Sequence, residues 1–187
     1  QVAGFHGPGW LVLMALDSYL NKNNPNVPNI QEKLKNDNKR DLTIGRRFWN
    51  IYLNIHPLRC IYCDGKILHD NYSLDHYLPW SYCSHDYLWN LIPTRKEINS
   101  SKSDSIPSSE VYLNKFIFTQ LNALRAVSEV NLDNKLLEDY AIYFNDSIES
   151  ILDYGREKFL IEYRNRLIPQ IQIAKNMGFR TDYTYYK

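Results

Sequence analysis

Three short stretches hold the residues able to do chemistry: Leu74-Asp75-His76-Tyr77-Leu78-Pro79-Trp80, then Trp89-Asn90-Leu91-Ile92-Pro93-Thr94, then Ile98-Asn99-Ser100-Ser101-Lys102-Ser103-Asp104. They place an acid–histidine pair, a central asparagine and a further amide oxygen close together in the chain. Hydrolysis of a phosphodiester needs a general base to activate water, and positive charge to stabilise the phosphate and the departing oxygen. Histidine suits the first task because its ordinary pKa lies near neutrality. A hard divalent cation suits the second, and such ions take carboxylate and amide oxygens while keeping several waters. The reading is therefore His76 as base, with Asp75 and Asn99 as ligands of one Mg²⁺ or Mn²⁺. Adjacent strand residues point to opposite faces. Asp75 and His76 can share a site only where the strand ends, and Pro79 is compatible with the chain leaving it there.

These positions resemble the HNH endonuclease family, with spacing similar to the HNH domain of RNA-guided CRISPR effector nucleases: Asp75-His76, Asn90, Asn99 and Lys102 fall at matching intervals. The resemblance covers roughly residues 58–107. It implies a ββα-metal unit, a β-hairpin followed by a short helix gripping one metal, in which His76 activates water, Asp75 and Asn99 bind the ion, and Asn90 orients the loop carrying the base. Lys102 becomes a candidate phosphate contact. Taken singly, each residue has a plainer reading, because a histidine is often a hydrogen-bonded loop residue and asparagine favours turns and caps.

Many such proteins carry a zinc knuckle, and Cys60-Ile61-Tyr62-Cys63 stands where its first half belongs. Arg95 and Ile98 occupy the second half, and neither can hold zinc. Cys83, His69 and His85 are potential donors without the expected spacing. A possible structural zinc at Cys60 and Cys63 is thus less favoured than a reduced, partly buried pair. On a helix, Arg95, Asn99 and Lys102 at i, i+4 and i+7 would share a face and bring two cations beside the metal; an ordinary solvated face is the competing reading. His85-Asp86 is less telling, since a histidine before the middle asparagine can serve merely to anchor the loop.

The flanking sequence is helical in pattern, so the expected class is α+β, predominantly α, with a small ββα core between helices. The expected division is a mildly basic helical lead-in over 1–57, the nuclease core over 58–107 and a helical region over 108–187 packed on it. Trp10 to Leu20 reads as a helix after a loop at Gly4 to Gly9, and Asn21 to Asn29 as a connector. Ile44, Phe48, Ile51, Tyr52 and Ile55 recur at helical spacing and stop before Pro57, leaving Arg46, Arg47, Asn50 and Asn54 on the other face. Leu113, Ile117, Leu121 and Leu124 mark one later helix, Leu137 to Ile151 a second, and Phe159 to Leu167 a third that meets Pro169. Gly178 reads as a helix stop. Trp49, Trp80 and Trp89 are expected to build the core.

Composition sets the remaining bounds. Hydrophobic residues make up 44% of the 187-residue chain and the net charge is +1, which suits a soluble domain rather than a disordered segment. The apolar run Trp10 to Leu16 is too short to cross a bilayer, and no basic segment precedes it as in a signal peptide. Three cysteines give no even disulfide framework, so a reducing cytoplasm is expected. Gln1 in place of Met is read as an excerpt or a processed product. A net charge of +1 is modest for gripping a polyanion alone. The basic excess lies at Lys33, Lys35, Lys39, Arg40, Arg46 and Arg47. DNA is the expected partner by analogy, with targeting supplied by a larger restriction or antiviral-defence complex or by a homodimer, and no membrane. The alternative is a nucleic-acid-binding or assembly module whose nuclease site is idle or conditional.

Overall fold

A computed structural model describes residues 40–69, 71–130 and 134–186. The helix and connector expected before residue 40, with Lys33, Lys35 and Lys39, lie outside the described residues. Arg40–Lys187 pack as one compact unit, predominantly helical with a single two-stranded sheet among the described residues.

Helix α1 (Thr43–Ile55) opens the unit and buries Gly45, Phe48, Trp49 and Tyr52. Its buried stripe is rotated from the expected one: Ile44 and Ile55 are exposed, and Trp49 takes their place against the core. Trp49 and Phe48 meet edge to face at 5.3 Å between ring centres, a geometry that favours aromatic pairs beyond simple burial. After α1 the chain makes the Cys60–Gly65 turn. There Cys60 N–H donates to Gly65 O at 2.8 Å, Asp64 N–H donates to Cys60 O at 2.9 Å, and Asp64 sits at a positive φ of 58°.

Strand β1 (Ser73–His76) pairs antiparallel with β2 (Leu91–Thr94), with Asp75 opposite Ile92 and His76 opposite Leu91. The intervening loop carries α2 (Trp80–Cys83) and a 3₁₀ turn at Leu88–Asn90. Helix α3 (Lys96–Lys102) follows β2 and completes a ββα unit. Both strands are nearly buried, because α1, α3 and the C-terminal helices cover them.

A π-helical turn at Ser109–Leu113 leads into α4 (Asn114–Val130), which buries Phe116, Ile117, Leu121 and Leu124. The stripe from Leu137 to Ile151 is not one helix. It divides into a 3₁₀ turn (Asn134–Leu137), α5 (Glu138–Phe144) and α6 (Ile148–Leu152). Asn145 adopts the left-handed conformation at φ 53° and ends α5. Ser147 then caps α6 by accepting from Ser150 N–H at 3.1 Å. Asparagine tolerates that conformation and serine favours that cap, so the break is local chemistry overriding the apolar period. Helix α7 (Arg156–Asn176) passes through Pro169 instead of ending there. Pro169 and Asn165, whose carbonyl loses its helical donor, are both exposed, so water can satisfy the lost bond. Gly178 at φ 92° follows the helix end as expected of a stop.

The helical region grips the chain around Asn90 through its backbone. Asp139 Oδ2 accepts from Leu88 N–H at 2.9 Å, the Tyr163 hydroxyl donates to Trp89 O, and Gln120 Nε2 donates to Leu91 O at 2.8 Å. Gln120 is itself held by the Tyr140 hydroxyl, which donates to Oε1 at 2.5 Å. Gln120→Met keeps the volume but strands the Leu91 carbonyl and the Tyr140 hydroxyl in the core. At about 1–3 kcal/mol for each of the two unsatisfied groups, urea denaturation should show a loss of about 2–6 kcal/mol.

Candidate active site

Asp75, His76 and Asn99 line one cleft of about 240 Å³, with Arg40, Trp80 and Asp104 at its walls. His76 is the last residue of β1, so the turn that follows lets two adjacent side chains reach one site. Asn99 enters from α3 and occupies the wall beside the end of β1.

Asn90 holds the turn. It is fully buried and lies outside the cleft. Its Oδ1 accepts from Leu78 N–H at 2.8 Å, and its Nδ2 donates to Leu78 O at 2.9 Å. One side chain thus satisfies both polar groups of a buried residue two positions past His76. Tyr77 N–H donates to the Asn90 backbone carbonyl at 2.8 Å, which fastens the neighbouring residue to the same segment. Cys83, once a potential zinc donor, is buried in this clamp: its thiol lies 3.3 Å from Asn90 Nδ2 and 3.3 Å from Pro79 O.

Asp75 is 2% exposed and anchored at both oxygens. The Tyr62 hydroxyl donates to Oδ2 at 2.7 Å, and Lys102 Nζ donates to Oδ1 at 3.0 Å. Burial first, and then the Asp75 charge, push the Tyr62 phenol well above its usual pKa, so it remains a donor. Nothing in the spacing of the sequence assigns Tyr62 to this carboxylate. Lys102 differs from the expectation of a phosphate contact. It is 1% exposed, and its ammonium also donates to His76 O at 2.7 Å. A carboxylate in so dry a place needs a counter-charge, and here the last turn of α3 supplies it.

His76 Nε2 lies 2.7 Å from Asp86 Oδ1, and the two side chains are 8% and 11% exposed. No spacing in the sequence assigns Asp86 to His76, because the pairing spans ten residues of loop whose path no periodicity reveals. The remaining expected cations are spread out. Arg46 and Arg47 are exposed on α1, with the Arg46 guanidinium 5.8 Å from the Tyr72 ring centre. Arg95 caps α3 from outside it and pairs with Glu97 at 2.7 Å. Its side chain packs over Gly65, where a Cβ would come within 3.1 Å of Arg95 Cδ. The face expected to align Arg95, Asn99 and Lys102 is therefore divided among three surroundings. Arg40 reaches the cleft instead, 5.1 Å above the Trp80 ring.

The donor set fits a hard cation better than a soft one. Each Asp75 oxygen keeps a second lone pair after its anchoring bond, and the Asn99 amide lines the same cleft. One carboxylate, one amide oxygen and waters suit Mg²⁺ or Mn²⁺. Among the described residues no group of three or more His, Cys, Asp or Glu side chains could hold a metal of any kind, so Asp75 and Asn99 offer two protein oxygens and Cys60 and Cys63 two thiols. The Cys60 thiol lies 3.1 Å from Thr94 Oγ1. Burial is the largest influence on Cys63 and raises its pKa. Both are free thiols.

A two-stranded sheet, a short helix and an Asp-His pair at the strand end make a ββα unit. Residues 60–108 match the family model described as HNH endonuclease. Nuclease activity is what this family relationship supports. No curated protein and no solved structure matches the chain. Among the described residues no helix is long and apolar enough to cross a membrane.

Because the Asp75–Lys102 pair is buried, breaking it leaves an uncompensated charge, at a cost of about 3–5 kcal/mol. Lys102→Met should therefore lower the denaturation midpoint strongly. A change within about 0.5 kcal/mol, usual for exposed sites, would mean that the lysine is not buried against Asp75.

Proposed function

We propose that the protein is a metal-dependent HNH endonuclease that hydrolyses phosphodiester bonds of DNA. The observation that carries this reading is the meeting of Asp75, His76 and Asn99 in one cleft of a ββα unit that also matches the HNH family. Asp75 and Asn99 would hold one Mg²⁺ or Mn²⁺, which when bound stabilises charge on the phosphate and the leaving 3′ oxygen. His76 takes the proton of the attacking water. Asn90 fixes the backbone beyond His76, so that the ring meets the water without reorganising. Tyr62 and Lys102 hold the Asp75 carboxylate in register with the ion. Arg40 at the cleft, with Arg46, Arg47 and Arg95 outside it, is suited to the DNA backbone, since such contacts position a duplex without reading it.

The choice of DNA rests on family analogy. A net charge of +1 favours targeting by something else: a larger prokaryotic defence or restriction assembly, or a second copy of the chain, in the cytoplasm. The second reading, a binding or assembly module with a conditional site, draws support from Lys102. Its ammonium already neutralises Asp75 and would compete with an incoming cation.

Supercoiled plasmid with Mg²⁺ or Mn²⁺ separates the readings. Wild type is expected to nick or linearise it, EDTA to stop the reaction, and His76→Ala to slow it about 10²–10⁴-fold, the usual contribution of a general base. Equal cutting by wild type and variant would remove His76 from the role of base. Binding without cleavage under every metal tried would favour the conditional module.

A further inference from the structure

We infer that Asp86 is a positioning residue for the reaction, setting which nitrogen of His76 is free to accept a proton. The inference rests on the nuclease reading for its purpose, but its geometry stands apart from it. A carboxylate has only acceptors to offer, so at 2.7 Å the bond to Asp86 Oδ1 must carry its hydrogen on His76 Nε2. In the neutral ring the lone pair then belongs to Nδ1. With Nε2 bound and both side chains about nine-tenths buried, the imidazole can neither exchange its tautomer freely nor rotate away from the cleft.

The other oxygen of Asp86 makes the assignment specific. Oδ2 accepts from Asp41 N–H at 2.6 Å, just before α1, where Asp41 Oδ1 in turn accepts from Thr43 N–H at 3.0 Å. The carboxylate is thus gripped by donors on both sides. An asparagine at this position could not serve both, because one of its ends is a donor. With the Asp41 N–H 2.6 Å from the Oδ2 place, an amide NH₂ there would set donor against donor, so the amide oxygen would take that place and the NH₂ would face His76. Nε2 would then have to accept, moving the ring proton to Nδ1 and removing the lone pair that the water needs. The shape of the side chain is kept while its instruction to the ring is reversed. A merely structural loop anchor would not behave in this way.

The test combines a spectroscopic reading with kinetics. In ¹⁵N-labelled protein, the His76 ring signals are identified by their absence in His76→Gln. Long-range ¹H–¹⁵N correlations should show a neutral ring protonated at Nε2 in wild type and at Nδ1 in Asp86→Asn. In plasmid cleavage Asp86→Asn should lower kcat about 10²–10⁴-fold with KM changed less than about threefold. A wild-type ring protonated at Nδ1 overturns the inference without any variant having to fold. An Nε2–H ring that persists in a folded Asp86→Asn protein overturns it as well. If wild-type protein cuts nothing while the tautomer switches as expected, the nuclease reading fails and the positioning by Asp86 stands.

Discussion

The alternation of side chains along a strand is the constraint on which the site depends. Asp75 and His76 are neighbours and would face opposite sides of any continuing strand. They can work in one cleft only if the chain leaves the sheet directly after His76 and is held there. The buried Asn90 side chain provides that hold by pairing with both the N–H and the C=O of Leu78. Those groups would otherwise be unsatisfied in the core, so the bent path becomes the one that leaves no orphaned polar atom.

The helical region acts through the same segment. Asp139, Tyr163 and Gln120 bind the backbone at Leu88, Trp89 and Leu91, on both sides of Asn90. Stacking of Trp89 on Tyr143, with ring centres 4.2 Å apart, adds an apolar contact at the same place. A two-stranded sheet is marginal by itself, and here α3 packs on β1 and α1 on β2, while Gln120 of α4 bonds the Leu91 carbonyl. The C-terminal helices, remote from the cleft in sequence, therefore set the stiffness of the loop that carries His76.

Charge within the site is handled locally. Asp75 is balanced by Lys102 and Tyr62, and Asp86 binds His76 and the Asp41 backbone, so neither carboxylate is left without donors. Among the described residues, Arg40 is the one arginine or lysine that lines the cleft. Arg46, Arg47 and Arg95 are exposed and do not line it.

Residue type and spacing in the sequence singled out Asp75, His76, Asn90 and Asn99 as a set, and their resemblance to the HNH family implied a ββα unit among helices. They did so because a short motif confined to two strands and a helix has little freedom in how it folds. Helix α1 was legible for a related reason, since its apolar period runs unbroken to Pro57. The divided α5–α6 segment and the passage of α7 through Pro169 were not, because a single left-handed residue or an exposed carbonyl outweighs a periodic stripe. Only the tertiary structure decided the partners: Lys102 buried on Asp75 instead of facing phosphate, Tyr62 on the same carboxylate, Asp86 on His76, and Arg40 at the cleft in place of Arg95. These pairings join residues on separate elements or across irregular loops. Their choice depends on which buried charge needs which donor once the chain has closed, and no spacing along the sequence encodes that.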